Sequence, residues 1–217
     1  LFRSCGPVQS QGSSGEHFFS SVLDDHTGYK WVLVHNTQSE VAESLVKHLK
    51  KIQNVHKSYV RELRTDEGTT YKNKLLTDYT DSTGINHTMG TPYNPETRSR
   101  AERMHRTLLE PLRATLAASG LPHSLWTVLI QTICYLSNLV PYSVHGRTPH
   151  EALYGNAPNV AHLRVIGCRA YIVIPHELRT NKLDATSHLC YMVGYTDDPH
   201  TYLLWHPSTN KLYRSDN

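Results

Sequence analysis

The sequence predicts an α/β domain built on a mixed sheet, followed by a small β-barrel. Two β-type runs come first and helical and β-type segments then alternate, the order of a mixed sheet covered by helices. From Leu163 onward the pattern changes to short β-type runs separated by turns. Gly155-Asn156-Ala157-Pro158-Asn159 lies at the change, which divides the chain into 1–158 and 159–217.

Each element has its own signal. His17 to Leu23 and Tyr29 to Val34 read as strands of a hairpin joined by Asp24-Asp25-His26-Thr27-Gly28. Thr37-Gln38-Ser39-Glu40 has the pattern of a capping box, and Val41, Leu45, Val46, Leu49 and Ile52 follow at helical spacing to about residue 54. A strand from Val60 to Asp66 comes next. A short helix over Asn73 to Ser82 stops at Gly84, and Ile85 to Met89 forms another strand.

After a loop, Gly90 to Pro95, a helix opening at Ala101 puts Ala101, Met104, Leu108, Leu112 and Leu116 on one stripe. Pro111 is expected to bend it, because proline removes a hydrogen bond and crowds the preceding turn. The run from Ser124 to Leu139 is almost wholly apolar and reads as a buried helix. Short strands are expected at Arg169 to Ile174, Leu189 to Val193, Tyr202 to Trp205 and Lys211 to Arg214.

With 217 residues and 38% hydrophobic content, the chain can bury one good core and a second small one. Its net charge of +3 allows a nucleic-acid partner without requiring one. Cys5, Cys134, Cys168 and Cys190 show no C-x-x-C spacing, so they read as reduced thiols and not as a zinc knuckle. No stretch reaches the roughly 18 apolar residues of a membrane span, so no membrane partner is expected. Both ends lack evident terminal structure, which suggests a segment of a longer polyprotein.

The chemistry-bearing pair is Asp66, closing a β-type run, and Glu102, at the start of a helix, with 35 residues between them. Singly, Asp66 is an ordinary turn acid and Glu102 a helix N-terminal acid favoured by the dipole. Together they match the latter half of an Asp, Asp-x35-Glu site, in which carboxylates converge on divalent metal ions for attack on a phosphodiester. Arg98, Arg100, Arg103 and Arg106 flank Glu102 and are candidates for phosphate contact. His87 and His105 have no ligand spacing for zinc.

The segment GTPYNPETRSRAERMHRTLL, Gly90 to Leu109, resembles the DNA-binding loop and glutamate helix of copia-type retrotransposon integrases. Gly120 to Trp126, Tyr135 to Asn138, Arg147 to Ala152, Leu163 to Cys168, Lys182 to Asp184 and Val193 to Tyr195 resemble the same family, in the same order. The resemblance implies a ribonuclease-H-like core, a mixed five-stranded sheet flanked by helices, followed by a small SH3-like barrel. It also implies that Asp66 and Glu102 are catalytic ligands of Mg²⁺ or Mn²⁺. DNA, as retroelement cDNA ends and target DNA, is the expected partner, with a homo-oligomer as the working form in the nucleus and cytoplasm.

Three departures stand against full activity. The family's first Asp precedes a Gly-Pro pair, and here Cys5-Gly6-Pro7 keeps that pair while Arg3 takes the Asp position. A guanidinium cannot ligate a cation. Arg98-Ser99 replaces an Asn-Gly that would ease close approach of backbone to DNA, and Thr70 stands where the family often has a glutamate. The expectation is an integrase core with degenerate chemistry; the alternative is a non-catalytic nucleic-acid-binding module of the same fold. Asp24 and Asp25 are the nearest acids that could replace the lost one.

Overall fold

The computed structural model describes residues 1–57, 59–66, 68, 71, 73–89, 95–141, 146–196, 198 and 201–216, with backbone alone for 95–99, 101 and 178. Strands β1 (Phe2–Cys5), β2 (Phe18–Leu23), β3 (Lys30–His35), β4 (Glu62–Thr65) and β5 (Asn86–Met89) form one sheet in the order β3-β2-β1-β4-β5. β1 to β3 pair antiparallel, and β1, β4 and β5 pair parallel. This is the mixed five-stranded sheet that the family resemblance implies.

Alternation along the strands decides what each face carries, because successive side chains point to opposite sides. Phe2, Val22, Trp31, Leu33 and Leu63 face helices α1 (Glu40–His56) and α2 (Lys74–Thr83), joining Val41, Leu45, Leu49, Tyr71 and Leu76 in one core. Phe19, Leu23, Val32 and Val34 face the other way, onto α3 (Pro95–Ser119) and α4 (Trp126–Asn138). Arg3 belongs to this second face, paired with Ser21 across β1 and β2.

The short helices end where their chemistry dictates. Asn73 caps α2 by accepting from Leu75 N–H, and Gly84 closes it in the left-handed region at φ 68°. The expected capping box does not form at α1: Ser39 is the N-cap residue and makes no side-chain capping bond, and Glu40 instead accepts from Asn36 N–H at 3.0 Å and from the Thr37 hydroxyl at 3.1 Å.

α3 differs from expectation at its start. It begins at Pro95, six residues before Ala101, so Arg98 and Ser99 lie within the helix. Proline is well suited to the first helical position, where its missing N–H would be unpaired anyway. Pro111 sits inside the helix without ending it, on an exposed position. Residues 90–94 of the expected loop lie outside the described residues. A short helix absent from the sequence reading, α5 (Pro149–Tyr154), is capped by Thr148, whose hydroxyl accepts from Glu151 N–H.

β6 (Arg169–Val173), β7 (Ser187–Tyr195), β8 (Thr201–His206) and β9 (Lys211–Asp216) form a separate antiparallel sheet in sequence order, the small β unit expected for the SH3-like part. It docks on α4: Val193 is fully buried in the α4 core, and Ile166, Tyr191, Leu203 and Trp205 pack against that core. Gly194 makes the approach possible, since a Cβ there would stand 2.5 Å from Thr132 Oγ1. The Thr132 hydroxyl shares its proton between its own helix, at Val128 O 2.9 Å away, and Val193 O at 3.1 Å. On the other side Asn138 clamps the edge strand β3, accepting from Lys30 N–H and donating to Lys30 O at 2.9 and 2.8 Å.

Candidate active site

β1 sits at the centre of the first sheet, and its parallel partner β4 ends at Thr65, directly opposite Phe2. One residue further on each strand come Arg3 and Asp66. Both leave the sheet toward α3, because Phe2 and Thr65 point the other way. The result is an ion pair, Arg3 Nε to Asp66 Oδ2 at 4.0 Å, with the two side chains 29% and 43% exposed.

Asp66 is held in a mixed environment. Its Oδ1 is buried with no regular hydrogen bond among the described residues. Burial therefore pushes its carboxyl above the usual range, against opposing effects of the Gly68 amide and the Arg3 charge. Tyr71 lies beside it, fully buried, donating to Ser4 Oγ at 2.8 Å and edge-on to Phe2; burial raises its hydroxyl to about 12. The strand end is thus packed firmly beneath the acid.

α3 crosses the same face. His105 Nε2 lies 2.9 Å from Ser21 Oγ, and that hydroxyl donates to Arg3 O at 3.4 Å. Burial first, and the Arg3 charge second, push His105 down to about 4, so it is neutral near pH 7. Glu102 lies one turn earlier on α3 and on the same side of the helix, exposed.

The cationic candidates divide. Arg103 and Arg106 are exposed on α3. Arg100 is bound by an ion pair to Asp25 at the hairpin end, which ties the start of α3 to β2. The Arg98 side chain lies outside the described residues. Asp24 accepts from the amide and hydroxyl of Thr27 and so closes its own turn. Asp24 is so engaged and Asp25 is paired to Arg100, so both acids are held at the hairpin end.

Of the other basic side chains, His48 turns into the core against Trp31 and Lys50 stands over the Tyr79 ring, so the Lys47 to Lys57 run is not a continuous surface patch. In the segments before and within the second sheet's connections, Arg164 donates to Ala161 O and Leu163 O, and Arg179 to Ile174 O, which engages both with local backbone.

The set does not fit the divalent metal that the resemblance implies. Among the described residues no three His, Cys, Asp or Glu side chains come together in a way that could hold a metal ion. At 4 Å a unit charge repels another by roughly 1 kcal/mol in water and about 4 at an effective dielectric of 20, and a divalent ion doubles this. Arg3 therefore opposes a cation at Asp66. The sequence reading found Asp66, Glu102 and Arg3 but missed the His105–Ser21–Arg3 chain. Strand alternation in residues 18–23, with the one-turn spacing of Glu102 and His105, was the signal for it.

The retroviral polymerase SH3-like domain family matches residues 168–217, the span of the second sheet. The chain is 34% identical over 97% of its length to the retrovirus-related Pol polyprotein from transposon TNT 1-94 of Nicotiana tabacum, of which it spans 16%. It is 28% identical over 91% of its length to the corresponding polyprotein from transposon RE1 of Arabidopsis thaliana, spanning 13%. Among solved structures, the catalytic core domain of BIV integrase aligns with 71% of this chain and 93% of its own, at 19% identity and a TM-score of 0.48. Similarity that runs unbroken through both sheets shows that the chain belongs to the copia-type retrotransposon Pol polyproteins, as their integrase region.

Proposed function

We propose that this integrase region has lost metal-dependent end processing and strand transfer and persists as a nucleic-acid-binding module. The observation that carries the reading is the Arg3–Asp66 contact. It supplies a cation of the protein's own where the family's chemistry needs a third carboxylate, and two-metal activation of both the attacking and the leaving oxygen has no support from the ligands that remain.

The rest of the scaffold favours retained binding. Arg103 and Arg106 stand exposed on the helix that carries Glu102, where cationic side chains can meet a phosphate backbone. DNA, either cDNA ends or target duplex, is the partner the family similarity supports, with association of several copies as the working form.

The test is joining of a labelled donor end to target DNA in Mg²⁺ or Mn²⁺, comparing the natural chain with Arg3→Asp, both verified as folded. No joining by the natural chain and recovery by Arg3→Asp is the expected result. Robust Mg²⁺-dependent joining by the natural chain would sink the reading.

A further inference from the structure

The Arg3 guanidinium is unusual in how few partners it has. Its contact with Asp66 runs through Nε at 4.0 Å, beyond hydrogen-bond length, and among the described residues no acceptor engages its Nη groups. At 29% exposure, the side chain is too enclosed to count as a solvated surface arginine and is not paired as an internal one. Arginine held in this way commonly answers a carboxylate or phosphate fork, because its planar donors match two oxygens at once.

Its surroundings fix the position of that fork. The backbone carbonyl of Arg3 is held by Ser21, and Ser21 by His105, so β1 is tied to α3 where the side chain departs. Tyr71 and Ser4 fill the opposite side of the strand. Asp66 lies toward Nε and partly offsets the charge, and among the described residues neither Nη group has a hydrogen-bond partner. His105, being neutral, neither repels nor competes for an anion there.

We propose that Arg3 makes the former metal locus a metal-independent phosphate site, its Nη edge holding one phosphodiester of a nucleic-acid strand laid across β1, β4 and α3. The inference rests on the reading above as a binding module but goes beyond it, since it places the contact at the strand end and predicts that no cation is needed. A charge-assisted hydrogen bond contributes about 1.5–3 kcal/mol, or roughly a ten- to hundredfold change in affinity.

The experiment is fluorescence anisotropy of a labelled oligonucleotide, single- and double-stranded, with the natural chain, Arg3→Ala, Arg3→Lys and Arg3→Asp, each in EDTA and in Mg²⁺. Alongside it, ¹⁵N resonances of the Arg3 side chain are followed during titration with inorganic phosphate and with oligonucleotide. The natural chain is expected to bind in EDTA as tightly as in Mg²⁺. Arg3→Ala should weaken binding at least tenfold and lower the salt slope by about one, Arg3→Lys should be intermediate, and Arg3→Asp should lose binding in EDTA. The Arg3 signals should shift with oligonucleotide, and a shift with inorganic phosphate as well would mark a general phosphate site.

Equal affinity and salt slope for the natural chain and Arg3→Ala would overturn the proposal, as would binding that requires Mg²⁺ or is absent in EDTA. Folding of Arg3→Ala is checked by its melting curve, and Arg3→Lys keeps the test decisive if alanine unfolds the strand. Joining activity by the natural chain would overturn the functional reading, whereas Arg3-independent binding would overturn this inference alone.

Discussion

The junction between α4 and the second sheet and the strand ends at Arg3 and Asp66 are built in different ways. At the junction, Leu129, Ile130, Ile133 and Val193 share one buried core and Thr132 links its helix to Val193, while on the other side of α4 Asn138 clamps β3 of the first sheet through two hydrogen bonds. At the strand ends a partly exposed ion pair includes a carboxylate whose buried Oδ1 has no regular hydrogen bond among the described residues. Packing at the junction is spread over many side chains, so any one of them can change while the fold persists. A site built on three ligands has no such redundancy, so a single reversal of charge at one of them would abolish it while the fold persists.

Three changes sharpen this contrast, from the largest expected effect to the smallest. Leu129→Ala removes a fully buried side chain from the junction core, and a loss of about 2–5 kcal/mol is expected in urea unfolding. A loss below about 1 kcal/mol would show that the junction contributes little. Gly194→Ala places a methyl 2.5 Å from Thr132 Oγ1, backed by Val128 and Leu203. The second sheet must then move off α4, at a cost of about 1–3 kcal/mol. Faster hydrogen exchange confined to β7 and its neighbours would report the movement, and unchanged exchange would contradict the close packing.

The smallest effect is a pH dependence. Burial pushes His48 and His105 down to about 4, and His35 and His87 shift the same way. Between about pH 4 and the unfolded value near 6.5 the unfolded chain binds more protons than the folded one. Stability is then greatest above pH 6.5 and falls as pH drops toward 4. Asp66, raised by burial, works in the opposite sense at the acid end. Urea midpoints measured from pH 7.5 to 4.5 should show the decline, and His48→Leu should flatten part of it. An identical slope in that variant would remove His48 from the account.

Much of the fold was legible because strand alternation, helical spacing and turn glycines act locally. Gly84 marked the end of α2, and the apolar run at 126–138 marked a buried helix. α3 starts earlier than its sequence suggests because Pro95, a residue typical of loops, serves equally as a first helical residue. α5 was too short to show a period. At the site, Arg3 and Asp66 could be found by motif, but the Ser21 and His105 contacts join residues 84 apart and exist only once β2 and α3 meet. The Asp25–Arg100 pair was missed for the same reason, since it spans 75 residues.

Whether Arg3 keeps a divalent metal from Asp66 is tested most directly, and without the correct DNA end, by a Mn²⁺ titration followed by paramagnetic broadening of backbone signals at Asp66 and Glu102. No site-specific broadening at Asp66 is expected in the natural chain at millimolar Mn²⁺, and broadening is expected in Arg3→Asp. Selective broadening at Asp66 and Glu102 with Arg3 in place would contradict that exclusion.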